Sequence, residues 1–284
     1  MKFSVVTNAY NQGRFLRRCM ESVLRQTSVE FEYIVVDPGS TDNTTAILEE
    51  YRAYNDPRLF IQCEPDDGPA HGLNKAFNQA TGDWFIYLNA DDFFLPGMFE
   101  HAAAILLHYP DADCVYGDGY ITDAAGNPVR RVYSTEFEAR KSVCGHTMVL
   151  QQSTFYRAPS FRKVGGFNVD NRTSWDWELL IDMSLADMQL IHAPGFWSAF
   201  AIHGESITGS QRHAAESKRN HERVFEKVMG RKRTERDIRG KKLRTLLYRF
   251  AHPKRTFDRL IDQISPQHLP SLTGGLPGIE NNAV

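Results

Sequence analysis

The chain has 284 residues, of which 42% are hydrophobic and 24% are charged, and its formal net charge is −2. This size and composition predict a globular protein built on one large α/β domain with appendages. No run of 18 apolar residues occurs, so no membrane-spanning helix is expected, and the early polar residues argue against a signal peptide. The four cysteines form no C-x-x-C pair, which predicts neither zinc nor disulfides and fits a reducing cytoplasm.

The charge is distributed unevenly along the chain. Residues 212–259 hold 17 Lys and Arg against 6 Asp and Glu, whereas the remaining residues hold 16 basic and 29 acidic side chains. A basic segment beside an acidic body predicts an anionic partner, either a membrane surface or a nucleic acid. No zinc-finger spacing or aromatic RNA-binding motif occurs, so we expect no nucleic acid and keep the membrane surface as the candidate partner.

Strand and helix patterns alternate through the first ninety residues. The apolar runs predict strands, and the amphipathic segments between them predict helices; the strands span 2–7, 31–36, 59–63 and 84–88, and the helices span 14–26, 43–54 and 70–80. This alternation predicts right-handed crossovers and a mostly parallel sheet. Ligands of open α/β sheets bind at the carboxyl ends of the strands, so the polar residues at those ends are candidates for a site.

The fourth strand ends in Asn89-Ala90-Asp91-Asp92. Two acids that leave a buried strand suit a hard divalent cation shared with substrate phosphates. The alternative is a solvated turn in which Asp serves only the turn geometry. The predicted sheet brings Thr7, Asp37 and Asp91 to one edge, where Asp37 could bind a nucleoside or simply cap a turn.

Phosphate-binding glycine motifs do not occur. There is no G-x-x-x-x-G-K-[ST], and no G-x-G-x-x-G follows the first strand. A metal and a basic side chain are therefore the expected means of neutralising phosphate. Lys75 is one candidate for the basic side chain, although it could equally be an exposed lysine on a helix.

The second half of the chain is less regular. We predict a helix at 96–108, a strand at 113–117, a hairpin at 118–133, a strand at 153–156, a helix from 175 to about 186, and two strands at 189–192 and 195–202. Residues 137–150 fit no single pattern. This half therefore predicts a less regular extension of the sheet.

The predicted helix after residue 174 begins with Trp175-Asp176-Trp177-Glu178. A carboxylate partly desolvated by indole rings has a raised pKa, which suits a general base. Indole faces also pack against sugar rings, so Trp175, Trp177 and Glu178 are candidate acceptor residues. The alternative is that both tryptophans belong to the core and that Asp176 only interacts with the helix dipole.

The motifs, and the order in which they occur along the chain, resemble those of the family 2 glycosyltransferases, which have the GT-A fold. The resemblance extends from Lys2 to about Ser210. It is carried by seven segments: Val5–Asn11, Val35–Asp42 with Pro38 as a departure, Leu73–Ala76 with Ala80–Asp83, Leu88–Asp92, Val115–Asp118, Gln152–Phe155 and Gly165–Phe167. It implies an α/β fold with a Rossmann-like, mostly parallel central sheet flanked by helices, followed by a helical basic appendage.

The resemblance also implies roles for individual residues. Those expected to contact the nucleotide-sugar donor are Thr7, Ala9, Tyr10, Asp37, Lys75, Asn89, Ala90 and Asp91. Asp91 would hold Mg or Mn on the donor diphosphate with Asp92 beside it, and His203, near Ser206 and Thr208, is a second candidate metal ligand. Asn89 replaces the first acid of a full Asp-x-Asp motif. Asp176 matches the catalytic base, and Asp118 is a further acceptor candidate.

The implied reaction is an inverting transfer of a sugar from a nucleoside-diphosphate sugar to a hydroxyl of a glycan or lipid-linked acceptor, in bacterial-type polysaccharide or glycoconjugate synthesis. No nucleophile–base pair suggests a covalent intermediate. The alternatives are a sugar-phosphate nucleotidyltransferase and a sugar- or partner-binding relative without activity.

The expected organisation has three parts. Residues 1–210 form the catalytic domain, with a donor half at 1–118 and an acceptor half at 119–210; residues 211–264 form a basic helical extension, and 265–284 a disordered tail. The segment 243–250 mixes apolar and basic residues and could lie on an anionic membrane or pack on the domain. The protein is thus expected in the cytoplasm, either free or peripheral on the inner face of the membrane.

Overall fold

The computed structural model describes residues 1–145, 147–204, 206 and 213–273. Across these residues one nine-stranded sheet has the order β3-β2-β1-β4-β8-β6-β9-β5, with β7 paired to β6. The strands are β1 (Lys2–Asn8), β2 (Glu30–Val36), β3 (Leu59–Gln62), β4 (Trp84–Asn89), β5 (Phe93–Phe94), β6 (Cys114–Thr122), β7 (Pro128–Val132), β8 (Thr154–Arg157) and β9 (Leu190–Ala201).

Helices cover both faces of the sheet. They are α1 (Gly13–Leu24), α2 (Thr44–Tyr54), α3 (Pro69–Gln79), α4 (Met98–His108), α5 (Ala139–Val143), α6 (Ala158–Lys163), α7 (Trp175–Leu185), α8 (Ala214–Met229), α9 (Glu235–Ala251) and α10 (Pro253–Ile264). None of these described helices is long and apolar enough to cross a membrane. The predicted α/β class with a helical basic appendage is confirmed.

Alternation along the central strands creates the two layers of core. Val5 packs with residues of α1, α2 and α4 on one face, while its neighbour Val6 packs with residues of α3, α6 and α7 on the other. Successive side chains of a strand point to opposite faces, so strands that are apolar throughout are buried on both sides. Strands β1, β2 and β4 are therefore held between two layers of helices, whereas β3 at the edge of the sheet is partly exposed.

Parallel pairing aligns the strand ends that form the site. In β1, Asn8 is in register with Val36 of β2 and with Asn89 of β4. The residues that follow these three positions leave the sheet at one edge. This alignment brings the loops after β1, β2 and β4 together, as predicted from the βα alternation.

The second half of the sheet is mixed rather than parallel. Strand β8 runs antiparallel to both β4 and β6, whereas β9 runs parallel to β6. The two strands predicted at 189–192 and 195–202 are one strand, Leu190–Ala201, whose register against β6 shifts around Asp118. Pro194 and Gly195 suggest a break in the sequence, and the structure absorbs them as an irregularity within the strand.

The predicted disordered tail is wrong for residues 265–273. A short 3-10 helix covers Pro266–His268, and Leu269 and Leu272 are buried in a cluster with Phe93 and Tyr120. The segment is polar and rich in Pro, but its two leucines fill a gap at the edge of the sheet. Residues 274–284 lie outside the described part of the chain.

Candidate active site

The loop after β2 is organised by Asp37. Its Oδ1 accepts hydrogen bonds from the Ser40 amide (2.9 Å), the Ser40 hydroxyl (2.7 Å) and the Gly39 amide (3.2 Å). Gly39 has a φ of +114°, a conformation that favours glycine. Only one oxygen of Asp37 serves the loop, so Oδ2, which has no hydrogen bond to the described residues, can accept one from a nucleoside.

The loop after β1 is fastened to the loop after β2. The Asn11 amide donates to Ser40 Oγ at 2.8 Å, and the Thr41 amide donates to Asn11 Oδ1 at the same distance. Tyr10, between this contact and β1, is 54% exposed. A fixed backbone thus holds an exposed aromatic ring close to Asp37, an arrangement suited to stacking on a nucleotide base.

The structure corrects the predicted role of Thr7. Its side chain is fully buried, and Tyr33 Oη donates to its hydroxyl at 2.9 Å. Ala9 is likewise buried in the core. The next residue after Thr7, Asn8, points to the opposite face because side chains alternate along a strand. Asn8 is not among the predicted site residues, yet both polar atoms of its carboxamide are buried without a partner in the described chain.

Asp92 is a scaffold residue rather than a metal ligand. Its buried carboxylate accepts hydrogen bonds from the Ala201 amide (2.9 Å), Gln152 Nε2 (2.7 Å) and Asn89 Nδ2 (3.1 Å). Burial, followed by the charge of Asp91, raises its pKa well above the usual range. Asp92 therefore ties β4 to β9, and it takes one N–H of the Asn89 carboxamide, which keeps its second N–H and its oxygen for other contacts.

Asp91 and His203 meet at the edge of the site. Asp91 Oδ2 lies 3.0 Å from His203 Nε2, and the His203 ring packs against Phe15 with centroids 4.6 Å apart. No group of three or more His, Cys, Asp and Glu that could hold a metal occurs in the described part of the chain. The pair can supply one oxygen and one nitrogen donor, so donor phosphates and water would have to complete a coordination shell.

Ser206 stabilises the chain after His203. Ser206 donates its hydroxyl to the His203 carbonyl at 2.9 Å. This bond shapes the turn that carries His203. Thr208, the other predicted residue of this element, lies outside the described residues.

A buried arginine supports the acids from beneath. Arg18 on α1 is 8% exposed, and its Nη2 donates to the Asp91 carbonyl at 3.0 Å, while Nη1 donates to the Ala124 carbonyl at 3.2 Å. Burial lowers its pKa, an effect that the charges of Asp92 and Asp91 oppose. In the sequence Arg18 looks like part of the polar face of an amphipathic helix, so it is not among the predicted residues.

Two residues that were predicted to contact the donor, Lys75 and Ala90, have side chains that make other contacts. Lys75 Nζ pairs with Glu64 Oε2 at 2.8 Å on the surface of α3, and no described contact joins it to Asp37 or Asp91. The Ala90 methyl group is buried in the core. Neutralisation of phosphate by Lys75 is therefore not supported by the described contacts.

Asp176 lies in the first turn of α7 and lines a cavity of about 40 Å³. The other lining residues are Phe137, Thr147, Val149, Gln151, Tyr156, Trp177 and Leu180. Gln151 donates to the Tyr87 carbonyl of β4 at 2.7 Å, which attaches the cavity wall to the strand that carries Asp91. Burial raises the pKa of Asp176, and the amides of Trp177 and Asp176 at the helix start oppose the shift. The direction agrees with the expectation for a general base.

Among the acceptor candidates around Asp176, only Trp177 faces the cavity. Its indole donates to Ser142 Oγ at 2.7 Å and stacks on His221 with centroids 4.7 Å apart. Trp175 is 6% exposed and belongs to the core, so its indole face is not open to a sugar ring. Its Nε1 has no partner in the described chain.

Glu178 is a structural acid, which corrects its predicted role at the acceptor. It is 1% exposed and accepts two hydrogen bonds from Arg223 of α8, at 2.7 and 2.6 Å, with further bonds from Asn168 and Asn171. Burial opposes the charged form, but Arg223 and the two amides together lower the pKa of Glu178. The residue fastens α8 to α7.

Asp118 is also a structural acid. Its buried Oδ1 accepts from the Ser134 amide at 2.8 Å and lies 2.9 Å from His192 Nε2. It sits where the register between β6 and β9 shifts. The predicted acceptor contact is therefore replaced by a role in closing this irregular part of the sheet.

A sheet edge that presents Asp37 and Asp91, with Asp176 in a cavity attached to the same central strand, is typical of glycosyltransferases with the GT-A fold. The family profile described as "Glycosyl transferase family 2" matches residues 4–165, more than half of the chain. The chain belongs to this family and is a glycosyltransferase. The nucleotidyltransferase alternative is thereby set aside.

Individual relatives agree with this assignment. The chain is 29% identical over 180 residues to a "PGL/p-HBAD biosynthesis glycosyltransferase" of Mycobacterium tuberculosis, covering 63% of this chain and 68% of that one. The fold of the present chain is similar to that of S. aureus TarS 1–349 in complex with UDP-GlcNAc, with a TM-score of 0.61 and 18% identity. The similarity covers 94% of this chain and 92% of the TarS chain. Against a longer TarS chain it spans 43% of the length.

A second structure extends the likeness in fold. The mannosyltransferase PcManGT from Pyrobaculum calidifontis, in complex with GDP-Man and Mn²⁺, has a TM-score of 0.61 and 17% identity. The similarity covers 96% of this chain and 77% of that one. At this level of identity the comparison supports the fold of the chain.

Proposed function

We propose that the enzyme transfers a sugar from a nucleoside-diphosphate sugar to an acceptor hydroxyl with inversion at the anomeric carbon. The observation that carries this proposal is the connection between the two acids through β4. Asp91 follows the end of β4. The wall of the Asp176 cavity is attached to the same strand by the hydrogen bond from Gln151 to the Tyr87 carbonyl. One strand thus relates a candidate diphosphate site to a candidate base.

The donor nucleotide is held at the ends of β1 and β2. Tyr10 offers a stacking surface, Asp37 offers its free oxygen, and the unpartnered carboxamide of Asn8 can both donate and accept. Residues 1–118 form the donor half in this proposal, and residues 119–210 form the acceptor half. The likeness in fold to proteins in complex with UDP-GlcNAc and GDP-Man supports a nucleotide-sugar donor.

Asp91 and His203 would hold a divalent metal, Mn or Mg, together with the donor phosphates. Their oxygen and nitrogen atoms are suitable ligands for Mn, and the phosphates supply the oxygen-rich remainder that Mg prefers. When bound, the metal neutralises the charge that develops on the departing diphosphate. The Mn²⁺ in the mannosyltransferase complex supports this assignment.

Asp176 acts as the general base. It takes the proton of the acceptor hydroxyl while that oxygen forms a bond to the anomeric carbon and the bond from this carbon to the diphosphate oxygen breaks. A raised pKa suits this role because a more basic carboxylate accepts a proton more readily. A single displacement needs no protein nucleophile and inverts the anomeric configuration.

The acceptor is a glycan or a lipid-linked sugar in polysaccharide or glycoconjugate synthesis. Trp177, one of the aromatic residues that line the cavity, could contact an acceptor sugar. The biosynthetic glycosyltransferase among the relatives supports this class of pathway. The acceptor therefore approaches from the side of α7, where Asp176 and Trp177 line the cavity.

The proposal is tested by incubating the enzyme with UDP-, GDP- and dTDP-sugars and Mn²⁺, and by following release of the nucleoside diphosphate. We expect one donor to be consumed, with release stopped by EDTA and restored by Mn²⁺. NMR of the product should show the anomeric configuration opposite to that of the donor. Undiminished turnover in exhaustively chelated buffer would refute the metal, and a retained configuration would refute the single displacement.

A sugar-binding relative without activity would show a different result. It would bind a donor, detected as a rise in melting temperature, but would release no diphosphate even on prolonged incubation. Slow hydrolysis of the donor in the absence of acceptor would exclude this alternative.

A further inference from the structure

Helix α10 packs against the domain through its charged face. Asp262 is 1% exposed and accepts from the Arg131 amide at 2.8 Å and from Arg131 Nη2 at 2.7 Å. Asp258 is 9% exposed and accepts from Tyr133 Oη at 2.6 Å. A surface helix of a globular protein normally buries its apolar stripe and exposes its charges. In α10 this arrangement is reversed.

The apolar face of α10 points away from the protein. Phe257 is 63% exposed, Leu260 52% and Ile264 83%. Their spacing of three and four residues places them on one side of the helix, opposite Asp258 and Asp262. No described residue covers these three side chains. We call the row formed by Phe257, Leu260 and Ile264 the α10 apolar face.

The segment that carries the α10 apolar face is rich in basic residues. Residues 235–264 hold nine Lys and Arg against four Asp and Glu, and two of those acids, Asp258 and Asp262, are buried against Arg131. At 100° per residue, Lys254 lies about 60° from Phe257 on one side of the apolar row, and Arg259 lies about 100° from Leu260 on the other side, where its charge also acts on Arg130; both are exposed. Long basic side chains at the borders of an apolar face can reach phosphate headgroups while the face inserts.

These observations point to one occupant. We propose that α10 lies flat on an anionic lipid bilayer, with Phe257, Leu260 and Ile264 inserted at the level between headgroups and acyl chains. A second copy of the chain would bring two basic surfaces together, whereas anionic headgroups would neutralise them. The segment 243–250 in α9 was the predicted membrane segment. The side chains of 243–246 and 249 are outside the described residues, and the proposal rests on α10.

The same helix is connected to the wall of the Asp176 cavity. Arg255 Nη1 donates to the Ser134 carbonyl at 3.1 Å, and the adjoining Thr135 exchanges hydrogen bonds with Met148, at 2.8 and 2.9 Å. Met148 lies between Thr147 and Val149, which both line the cavity. A bilayer that holds α10 would therefore lie near the acceptor side of the enzyme, where a lipid-linked acceptor could be reached.

The proposal is tested by flotation of the full-length protein with vesicles of phosphatidylcholine, with and without phosphatidylglycerol. The test variant carries Phe257→Gln, Leu260→Gln and Ile264→Gln. The matched control carries Tyr54→Gln, Phe60→Gln and Leu107→Gln, which remove three exposed apolar side chains elsewhere. We expect the wild type and the control to float with the anionic vesicles, and the test variant to partition about tenfold or more weakly.

A charge variant separates the electrostatic contribution from insertion. Lys254→Gln with Arg259→Gln should weaken partitioning onto anionic vesicles by about fivefold for each charge removed. The loss should shrink at high salt, since salt screens exposed charges. Melting curves of all variants should match the wild type, because every substituted side chain is exposed.

Three outcomes would overturn the proposal. One is wild-type protein that does not float with anionic vesicles. Another is a test variant that floats as well as the control. The third is a dimer in light scattering that the test variant converts to a monomer, which would assign the α10 apolar face to a second copy of the chain. Neither flotation nor light scattering depends on transfer activity, so failure here leaves the proposed function standing.

Discussion

The edge that carries Asp37 and Asp91 and the start of α7 that carries Asp176 are built in different ways. At the edge, the strands and loops come from neighbouring βα units, and parallel register alone brings their ends together. Around Asp176, the cavity wall combines the irregular segment 137–151, β8 and α7. The first region follows from local pattern, whereas the second depends on contacts between distant parts of the chain.

The difference is clearest in the acids of the two regions. Among the described residues, the Asp91 carboxylate has one hydrogen-bonding partner, His203, which agrees with its proposed role towards a ligand, while its neighbour Asp92 joins β4 to β9. In the second region Asp176 faces a cavity, while Glu178, two residues later, is fully engaged by Arg223. In both regions one acid is available for chemistry, and an acid next to it holds the structure.

Substitution of Asp91 by Asn should have the largest effect on activity. Loss of the charged metal ligand removes several kcal/mol of stabilisation from the departing diphosphate, so kcat should fall by about a thousandfold. The free energy of unfolding should change little, because within the described part of the chain the carboxylate has one hydrogen-bonding partner, His203. Steady-state rates over a titration of Mn²⁺, beside a urea titration, measure both quantities. A kcat within threefold of the wild type would remove Asp91 from the metal site.

The same substitution at Asp92 should act on stability instead. An Asn side chain replaces one of the two acceptor oxygens by an NH2 group, which faces at least one of the donors Ala201, Gln152 and Asn89 and cannot accept its hydrogen bond. The free energy of unfolding should therefore fall by about 2–3 kcal/mol. Chemical denaturation measures the free energy of unfolding of Asp92→Asn and of Asp91→Asn, two variants that carry the same chemical change at neighbouring positions. If Asp92→Asn folds as stably as the wild type but loses metal-dependent activity, the two acids have exchanged roles.

Glu178→Gln should weaken the attachment of α8 to α7. The substitution leaves the Arg223 guanidinium without its carboxylate, and we expect a loss of about 1–2 kcal/mol in the free energy of unfolding, with kcat per folded molecule unchanged. Glu222→Gln, at an exposed position on α8, is the control. A specific rise in the KM for the acceptor without loss of stability would restore Glu178 to the acceptor site.

The raised pKa of Asp176 has a consequence for stability. The folded state holds the proton more tightly than the unfolded state, so this group stabilises the fold below its unfolded pKa, and the contribution is lost as the pH rises through the folded pKa. Asp176→Asn removes the buried charge and should raise the melting temperature at neutral pH by about 2 °C. The difference should vanish in acid. A variant that melts lower than the wild type at neutral pH would contradict the raised pKa.

The sequence alone predicts those features of the fold and site that depend on residues close together in the chain. Apolar runs, βα alternation and the position of acids at strand ends are enough to predict the donor edge, and Trp175-Asp176-Trp177 draws attention to the candidate base. Thr7 could not be separated from Asn8, because the direction of a side chain depends on the packing of α1 and on Tyr33. Residue type predicts which side chains can do chemistry, and packing decides which of them are free to do it.

The structural roles of the buried acids share a physical cause. Asp118, Glu178 and Asp92 each have a bonding partner that lies between 45 and 109 residues away in the chain. Arg18 became important for the same reason, since its contact with the Asp91 carbonyl spans 73 residues. Local pattern carries no information about such partners, so an acid that looks catalytic and an arginine that looks solvated cannot be recognised from their neighbours.

The central claim is that Asp176 removes the proton of the acceptor and does not bind the donor. It is tested most directly by measuring donor affinity by calorimetry and transfer rate on the same preparation of Asp176→Asn. We expect donor affinity within about twofold of the wild type and a transfer rate lower by about 10²–10⁴-fold, the usual contribution of general-base catalysis. Transfer at the wild-type rate would contradict the claim, as would a loss of donor binding large enough to account for the lower rate.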